Sequence, residues 1–207
     1  MTDYKNILNK LNFWEYKIIK EFKENDYKIT LWIPEKQIEA LINYSQDIED
    51  KALLNNTWDL KRFSSYEKFN KWYDNEWRYL FCLLDNEDNL AWIWWGRPAE
   101  LPNINEIIDK KIFDKIKENI DNIHTSWIRI YPDYRWKWLA KFMLNAEDIY
   151  RQNHNNTYMS VDINSDNIPS QRAYEKAWYI YFANWKNVNE WDADDVDRMI
   201  YVKLPKT

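Results

Sequence analysis

Apolar positions recur at helical spacing near the start of the chain, where Ile7, Leu8 and Leu11 are followed by Ile18, Ile19 and Phe22. This predicts an N-terminal helical extension over 1–26, ahead of a domain covering 27–207. Tyr27 to Ile33 alternates as a strand does and is stopped by Pro34. A helix follows from Glu35 to about Glu49, with Ile38, Leu41, Ile42 and Ile48 on one side. Ser64-Ser65 offers an N-cap for a further helix whose apolar face is Tyr66, Phe69, Trp72 and Tyr73. Arg78–Leu84 and Leu90–Trp95 flank the polar run Asp85–Asn89 and read as an antiparallel hairpin.

Residues 104–122 carry Ile107, Ile108, Ile112, Phe113 and Ile116 at amphipathic spacing, predicting a charged helix. A strand from Ser126 to Tyr131 leads through Pro132-Asp133 into a turn and a helix from Lys137 to Gln152. Thr157–Ile163 reads as a strand, Pro169–Ala177 as a short helix, and 179–184 and 197–204 as two closing strands. The order ββ-α-β-α-β-α-ββ predicts a mixed α/β layer.

Composition adds an anomaly. The 207 residues contain one glycine, Gly96, and 14 tryptophans. A domain of this length ordinarily holds roughly fourteen glycines. Several tryptophans occupy glycine slots: Trp178 after the helical run 171–177, Trp185 in Asn184-Trp185 where Asn-Gly would mark a turn, and Trp136 and Trp138 before a helix. Two readings account for this. In one, the protein is aromatic-rich and lacks glycine; in the other, an opal codon read as glycine in the source has been rendered as tryptophan. Abundant Asn, Lys, Ile and Tyr suit the AT-rich gene that the second reading needs. Trp72 and one of Trp94 and Trp95 sit in contexts that suit tryptophan itself.

Other bulk properties narrow the function classes. The net charge of −5 argues against a general nucleic-acid grip. A single cysteine, Cys82, excludes an internal disulfide and fits a reducing cytoplasm; its apolar run 79–84 makes it a buried structural thiol. No apolar stretch approaches a membrane span, and the polar start is unlike a signal peptide. The cluster Trp92, Trp94, Trp95 and Arg97 has the composition of a stacking platform as well as that of a strand over a core. The acidic run Glu190–Asp195 reads as a solvated hairpin loop more readily than as a cation site, and no metal ligand set is assigned.

Residues 126–183 carry the chemistry. Ile128–Tyr134 leads into Arg135-Trp136-Lys137-Trp138-Leu139-Ala140, and Ala173-Tyr174-Glu175-Lys176-Ala177-Trp178-Tyr179 follows downstream of Asn167. In order and spacing these segments resemble the GNAT superfamily of acyl-CoA-dependent N-acetyltransferases, over roughly 27–204. The family's acyl-CoA signature is Arg or Gln, two residues, Gly, one residue, then Gly or Ala, and Trp138 stands at its required glycine. The resemblance implies a mainly antiparallel twisted sheet of about six to seven strands with helices on both faces. It also implies acetyl-CoA as cosubstrate and acetyl transfer to a primary amine.

Within that resemblance, Arg135, Trp136, Lys137, Trp138, Leu139 and Ala140 would hold the pyrophosphate. The physics agrees: a helix's first turn offers unpaired N–H groups and partial positive charge, and glycine lets the backbone approach an anion. A literal indole at 138 would obstruct it, so the alternative function is an inactive binding protein on the same scaffold, its cofactor loop blocked by Trp136 and Trp138. Backbone groups of Ile128 and Ile130 would pair with the pantetheine arm. Tyr174 matches the family's proton donor to the departing thiolate. Asn167 either contacts the cofactor or caps the next helix. His124 and His154, beside polar turn-like stretches, read as solvated surface residues, and Asp162 as a solvent-facing strand carboxylate. The acceptor, a small-molecule or peptide amine, is expected across 35–75 and 184–197, in a monomer or homodimer with no nucleic-acid or membrane partner.

Overall fold

In the computed structural model the chain is described over residues 16–51, 59–74, 79–98, 101, 104–135, 137, 139–154, 156–187 and 196–205. Within these, the first half runs β1 Lys17–Phe22, β2 Tyr27–Leu31, α1 Glu35–Ser45, α2 Asp59–Phe63, α3 Tyr66–Asp74, β3 Tyr79–Asp85 and β4 Leu90–Pro98. It continues with β5 Glu106–Ile107, α4 Lys110–Lys117, β6 Ile123–Ile130, α5 Ala140–Asn153, β7 Tyr158–Asn164, α6 Ile168–Lys176, β8 Ile180–Asn187 and β9 Val196–Lys203. Short 3-10 turns lie at Ile120–Asn122 and Pro132–Tyr134. The class is mixed α/β with a mainly antiparallel sheet, as expected, and the described residues hold nine strands where six or seven were anticipated. The chain divides into two compact units, 1–97 with 127–153 and 98–126 with 154–207.

In the first unit β1 pairs with β2, β2 with β3 and β3 with β4, all antiparallel. Strands β3 and β4 are buried almost throughout, which is why they read as unbroken apolar runs rather than alternating ones. Cys82 lies in this core at 0% exposure, and burial pushes its thiol well above the ordinary range, as suits a structural thiol. Helix α3 starts as predicted: Ser65 Oγ accepts from the Lys68 N–H (3.2 Å) and the Ser65 carbonyl from the Phe69 N–H (2.9 Å). Residues 17–22 correct the helical reading of the N-terminus. They form a strand, turned back on β2 through Lys23–Asp26, where Asp26 takes φ 56° and the Asn25 N–H reaches the Phe22 carbonyl. Ile7, Leu8 and Leu11 lie outside the described residues.

In the second unit the opening of β6 pairs parallel with β7, through Ile123–Thr125 against Tyr158–Ser160. Antiparallel ladders then join β7 to β9, β9 to β8 and β8 to β5. Its core is Ile112 and Ile116 of α4 against Ile123, Phe182, Ala183, Ile200 and Val202. The helix expected over 104–122 is confined to Lys110–Lys117, because Asp109 caps it by accepting from the Ile112 N–H (3.0 Å). Ahead of that cap, Glu106–Ile107 pairs with Ala183–Asn184 instead. Asn184 and Trp185 are likewise no turn: they sit inside β8, opposite Met199 and Arg198. The acidic run 190–195 lies outside the described residues.

Candidate active site

Strand β6 ends in a segment pinned at four points within the first unit. The Tyr131 N–H donates to the Ala91 carbonyl of β4 (3.1 Å), and the Tyr131 ring stacks on Tyr44 of α1 (centroids 4.4 Å, 17°). Tyr134 Oη donates to Asp85 Oδ2 (2.6 Å). The Arg135 fork grips both oxygens of Asp50 at 2.7 and 2.5 Å, while its Nε donates to the Ile130 carbonyl (3.1 Å). The Asp50 side chain is only 4% exposed, so this bidentate pair is well shielded from water.

Burial raises the Tyr134 phenol, and its bond to Asp85 adds to the effect. At Asp85 burial alone would raise the carboxyl; the bonds from Tyr134, Asn89 and Glu87 outweigh it and hold the group below its ordinary value.

Helix α5 opens from this pinned segment at Ala140, after Leu139, which is buried and accepts from the Phe142 N–H (2.9 Å). A helix start of this kind presents N–H groups without intrahelical partners, with the macrodipole behind them. Lys137 is exposed, its Nζ 4.8 Å from the Tyr134 ring centroid. Trp136 and Trp138 lie outside the described residues.

The Tyr131 bond to β4 fixes the edges of β6. Strand backbone groups alternate from one edge to the other, so those of Ile130 and Ile128 point away from β4. Each carbonyl there already accepts one bond, Ile130 from Arg135 Nε and Ile128 from Arg129 Nη1 (3.0 Å). A carbonyl oxygen keeps a second lone pair for another donor.

The remaining sequence-derived residues belong to the second unit. Tyr174, on α6, is 3% exposed and meets Tyr179 edge-on (5.0 Å, 82°). Tyr179 Oη lies 3.4 Å from Ser126 Oγ. Asn167 caps α6, its Oδ1 accepting from the Ser170 N–H at 3.3 Å.

Trp178 closes α6 with φ 69°. Its N–H reaches the Glu175 carbonyl (3.0 Å) and the Tyr179 N–H reaches that of Tyr174 (3.1 Å), the two bonds of a Schellman cap. The slot read as glycine's from sequence therefore has glycine's backbone.

His124 corrects the surface reading. It is a buried residue of β6, its ring 4.9 Å from that of His154. Burial pulls both imidazoles down to about 4, helped at His124 by the facing His154. Asp162 is no solvent-facing carboxylate either, being half-buried and bonded to Arg198 Nη1 at 2.7 Å. Sequence reasoning missed Asp50, Asp85 and Tyr44. Asp50 sits in a run that reads as the tail of α1, and no periodicity reveals a partner 85 residues away. No group of three or more His, Cys, Asp or Glu side chains suited to a metal ion occurs among the described residues. No helix among them is long and apolar enough to cross a membrane.

No protein-family model matches the chain, and no curated protein sequence does. Solved structures do. Spermidine N-acetyltransferase from Vibrio cholerae, in complex with CoA and spermine, is 14% identical with a TM-score of 0.63, covering 87% of this chain and 96% of that one. Ribosomal-protein-S5-alanine acetyltransferase from Vibrio fischeri gives 10% identity and a TM-score of 0.62, with coverage of 90% and 96%. A Salmonella typhimurium protein solved with its cofactor acetyl-CoA gives 13% and 0.60, with coverage of 87% and 94%. At such identities the likeness is one of fold, and the fold is that of GNAT-type N-acetyltransferases.

Proposed function

We propose that this protein is an acetyl-CoA-dependent N-acetyltransferase that moves an acetyl group to a primary amine. The observation that carries the reading is the pinned exit of β6: a strand edge with outward backbone groups at Ile128 and Ile130, followed by a clamped turn that opens α5. On this reading the pantetheine amides bond along that edge, as an added strand would. Backbone N–H groups from Arg135 to Ala140 receive the diphosphate at the helix start. The Arg135 side chain contributes by holding the turn to Asp50 rather than by reaching the phosphate. Asn167 contributes through the start of α6.

The acceptor must be neutral to attack, so an ammonium gives up a proton to solvent water first. Its nitrogen lone pair then forms the N–C bond to the thioester carbonyl, and the C–S bond breaks. Tyr174 supplies the proton that the departing thiolate takes up, and the proton that the newly acylated nitrogen sheds to water restores the phenol.

Positions 136, 138 and 178 are glycine in the active protein on the same reading, with an opal codon behind each. Supporting it, the non-glycine residues of positive φ among the described residues are two Asp, one Asn and two Trp, Trp32 and Trp178. Asp and Asn tolerate that region and Trp does not. The buried indole N–H groups of Trp92, Trp94 and Trp185 also find no partner among the described residues, an arrangement that ordinarily costs about 1–3 kcal/mol each. Peptide mapping of the natural protein decides this directly: Trp by mass at 136 and 138 rejects the recoding.

For activity, thiol release from acetyl-CoA is followed in W136G/W138G protein over a panel of primary amines. Turnover is expected, and Tyr174→Phe should lower kcat about a hundredfold with acetyl-CoA affinity unchanged. Full kcat in Y174F would remove Tyr174 from its role. Absence of acetyl-CoA binding in both forms would favour a non-catalytic binding protein.

A further inference from the structure

Alternate residues of β4 and β6 build one connected cluster in the first unit. The Trp95 and Trp127 rings stack at 5.8 Å and 26°. The arginine two residues along on each strand crosses to the other strand's indole: the Arg97 guanidinium lies 5.7 Å from the Trp127 ring and that of Arg129 5.3 Å from Trp95. Trp72 of α3 and Phe63 of α2 meet Trp95 edge-on at 5.3 and 6.2 Å, walling the far side with aromatic rings. Two guanidiniums therefore share one aromatic platform. Both are half-buried, and burial holds Arg97 below its ordinary value.

We propose that Arg97 and Arg129 form a carboxylate clamp for the acceptor, so that the amine acetylated here is a small carboxylate-bearing one rather than a polyamine. The inference rests on the acyltransferase reading above, which fixes the polarity of the site. A diphosphate held at the start of α5 would let a pantetheine arm run back along Ile130 and Ile128, toward Trp127. The side chains of Trp127 and Arg129 stand on the face opposite those of Ile128 and Ile130. Guanidinium forks match a carboxylate bidentately, and the half-buried Trp127 indole suits a flat or apolar body, Trp95 being covered at 1% exposure. A polyamine would bring further positive charge against two arginines, in a setting that screens poorly.

The test measures acetyl-CoA binding by calorimetry and thiol release with each of a series of free L-amino acids, the matching amino-acid amides, and spermidine, all on W136G/W138G protein. The expected result is a kcat/KM at least about tenfold higher for the best acid than for its amide, with spermidine inert. In R97Q and R129Q the KM for that acid should rise at least about tenfold, and in R97Q the acetyl-CoA Kd should stay put. R129K, which keeps the charge but loses the fork, should recover only part of the loss. Acetyl-CoA binding accompanied by equal use of acid and amide, by preference for spermidine, or by turnover of no acid overturns the clamp and leaves the acyltransferase reading standing. Failure to bind acetyl-CoA overturns both.

Discussion

Trp178 holds a left-handed backbone with 79% of its surface exposed, so its indole repays little of the strain it carries. W178G should raise the unfolding free energy by about 1 kcal/mol, the cost of a left-handed non-glycine residue. W178A, which keeps a Cβ, should gain much less. Urea denaturation of the three proteins reads this out, and equal stability of the Gly and Ala variants would contradict a backbone origin. Trp32 shares the conformation at φ 68° but packs on Tyr73 at 4.0 Å, so the same replacement there also loses packing. Buried His124 and half-buried His154 give a pH signature. Their folded values lie near 4 against 6.5 when free, so the unfolded chain takes up these protons first as acid is added. The stability they contribute is complete above about pH 6.5 and drains away between there and about pH 4. In H124Q the fall in urea midpoint from pH 7 to pH 4.5 should be shallower than in the parent; an unchanged slope would show that these imidazoles do not set it.

The exit of β6 behaves as one element because side chains from three other segments hold it. D50N leaves the half-buried Arg135 fork without its charged partner and should cost about 2 kcal/mol. The D50A/R135A double variant should cost less than the two single changes added, since both remove one interaction. Additive losses in chemical unfolding would mean that the pair is not coupled. Much of this element was legible beforehand: the strand, the Pro132 turn and the helix after it all follow from spacing and turn residues. Its pins were not, because Asp50, Asp85 and Tyr44 are distant in sequence and carry no periodic mark. The same limit explains β1. Ile18, Ile19 and Phe22 fit a helical spacing, and only pairing with β2 through the Asp26 turn makes them a strand. At 104–122 the apolar spacing was real, but the Asp109 cap and the edge pairing of Glu106–Ile107 divide it. Asn184-Trp185 read as a turn because Asn favours turns, yet the ladder with β9 continues through it.

For the molecule as a whole, a fold shared with N-acetyltransferases at 10–14% identity over most of the chain leaves function to the residues themselves. Those residues argue in one direction on the reading proposed here. The strand edge at Ile128 and Ile130, the clamped turn and the start of α5 suit a long, diphosphate-bearing thioester, and the left-handed slot at 178 marks glycine's place in the flanking motif. The indoles written at 136 and 138 are the one feature set against it. Isothermal titration with acetyl-CoA therefore tests the account most directly, comparing the chain as written with its W136G/W138G form. Micromolar binding by the glycine form and none by the tryptophan form is the predicted result. No heat of binding from the glycine form, with its fold intact by circular dichroism, would contradict it.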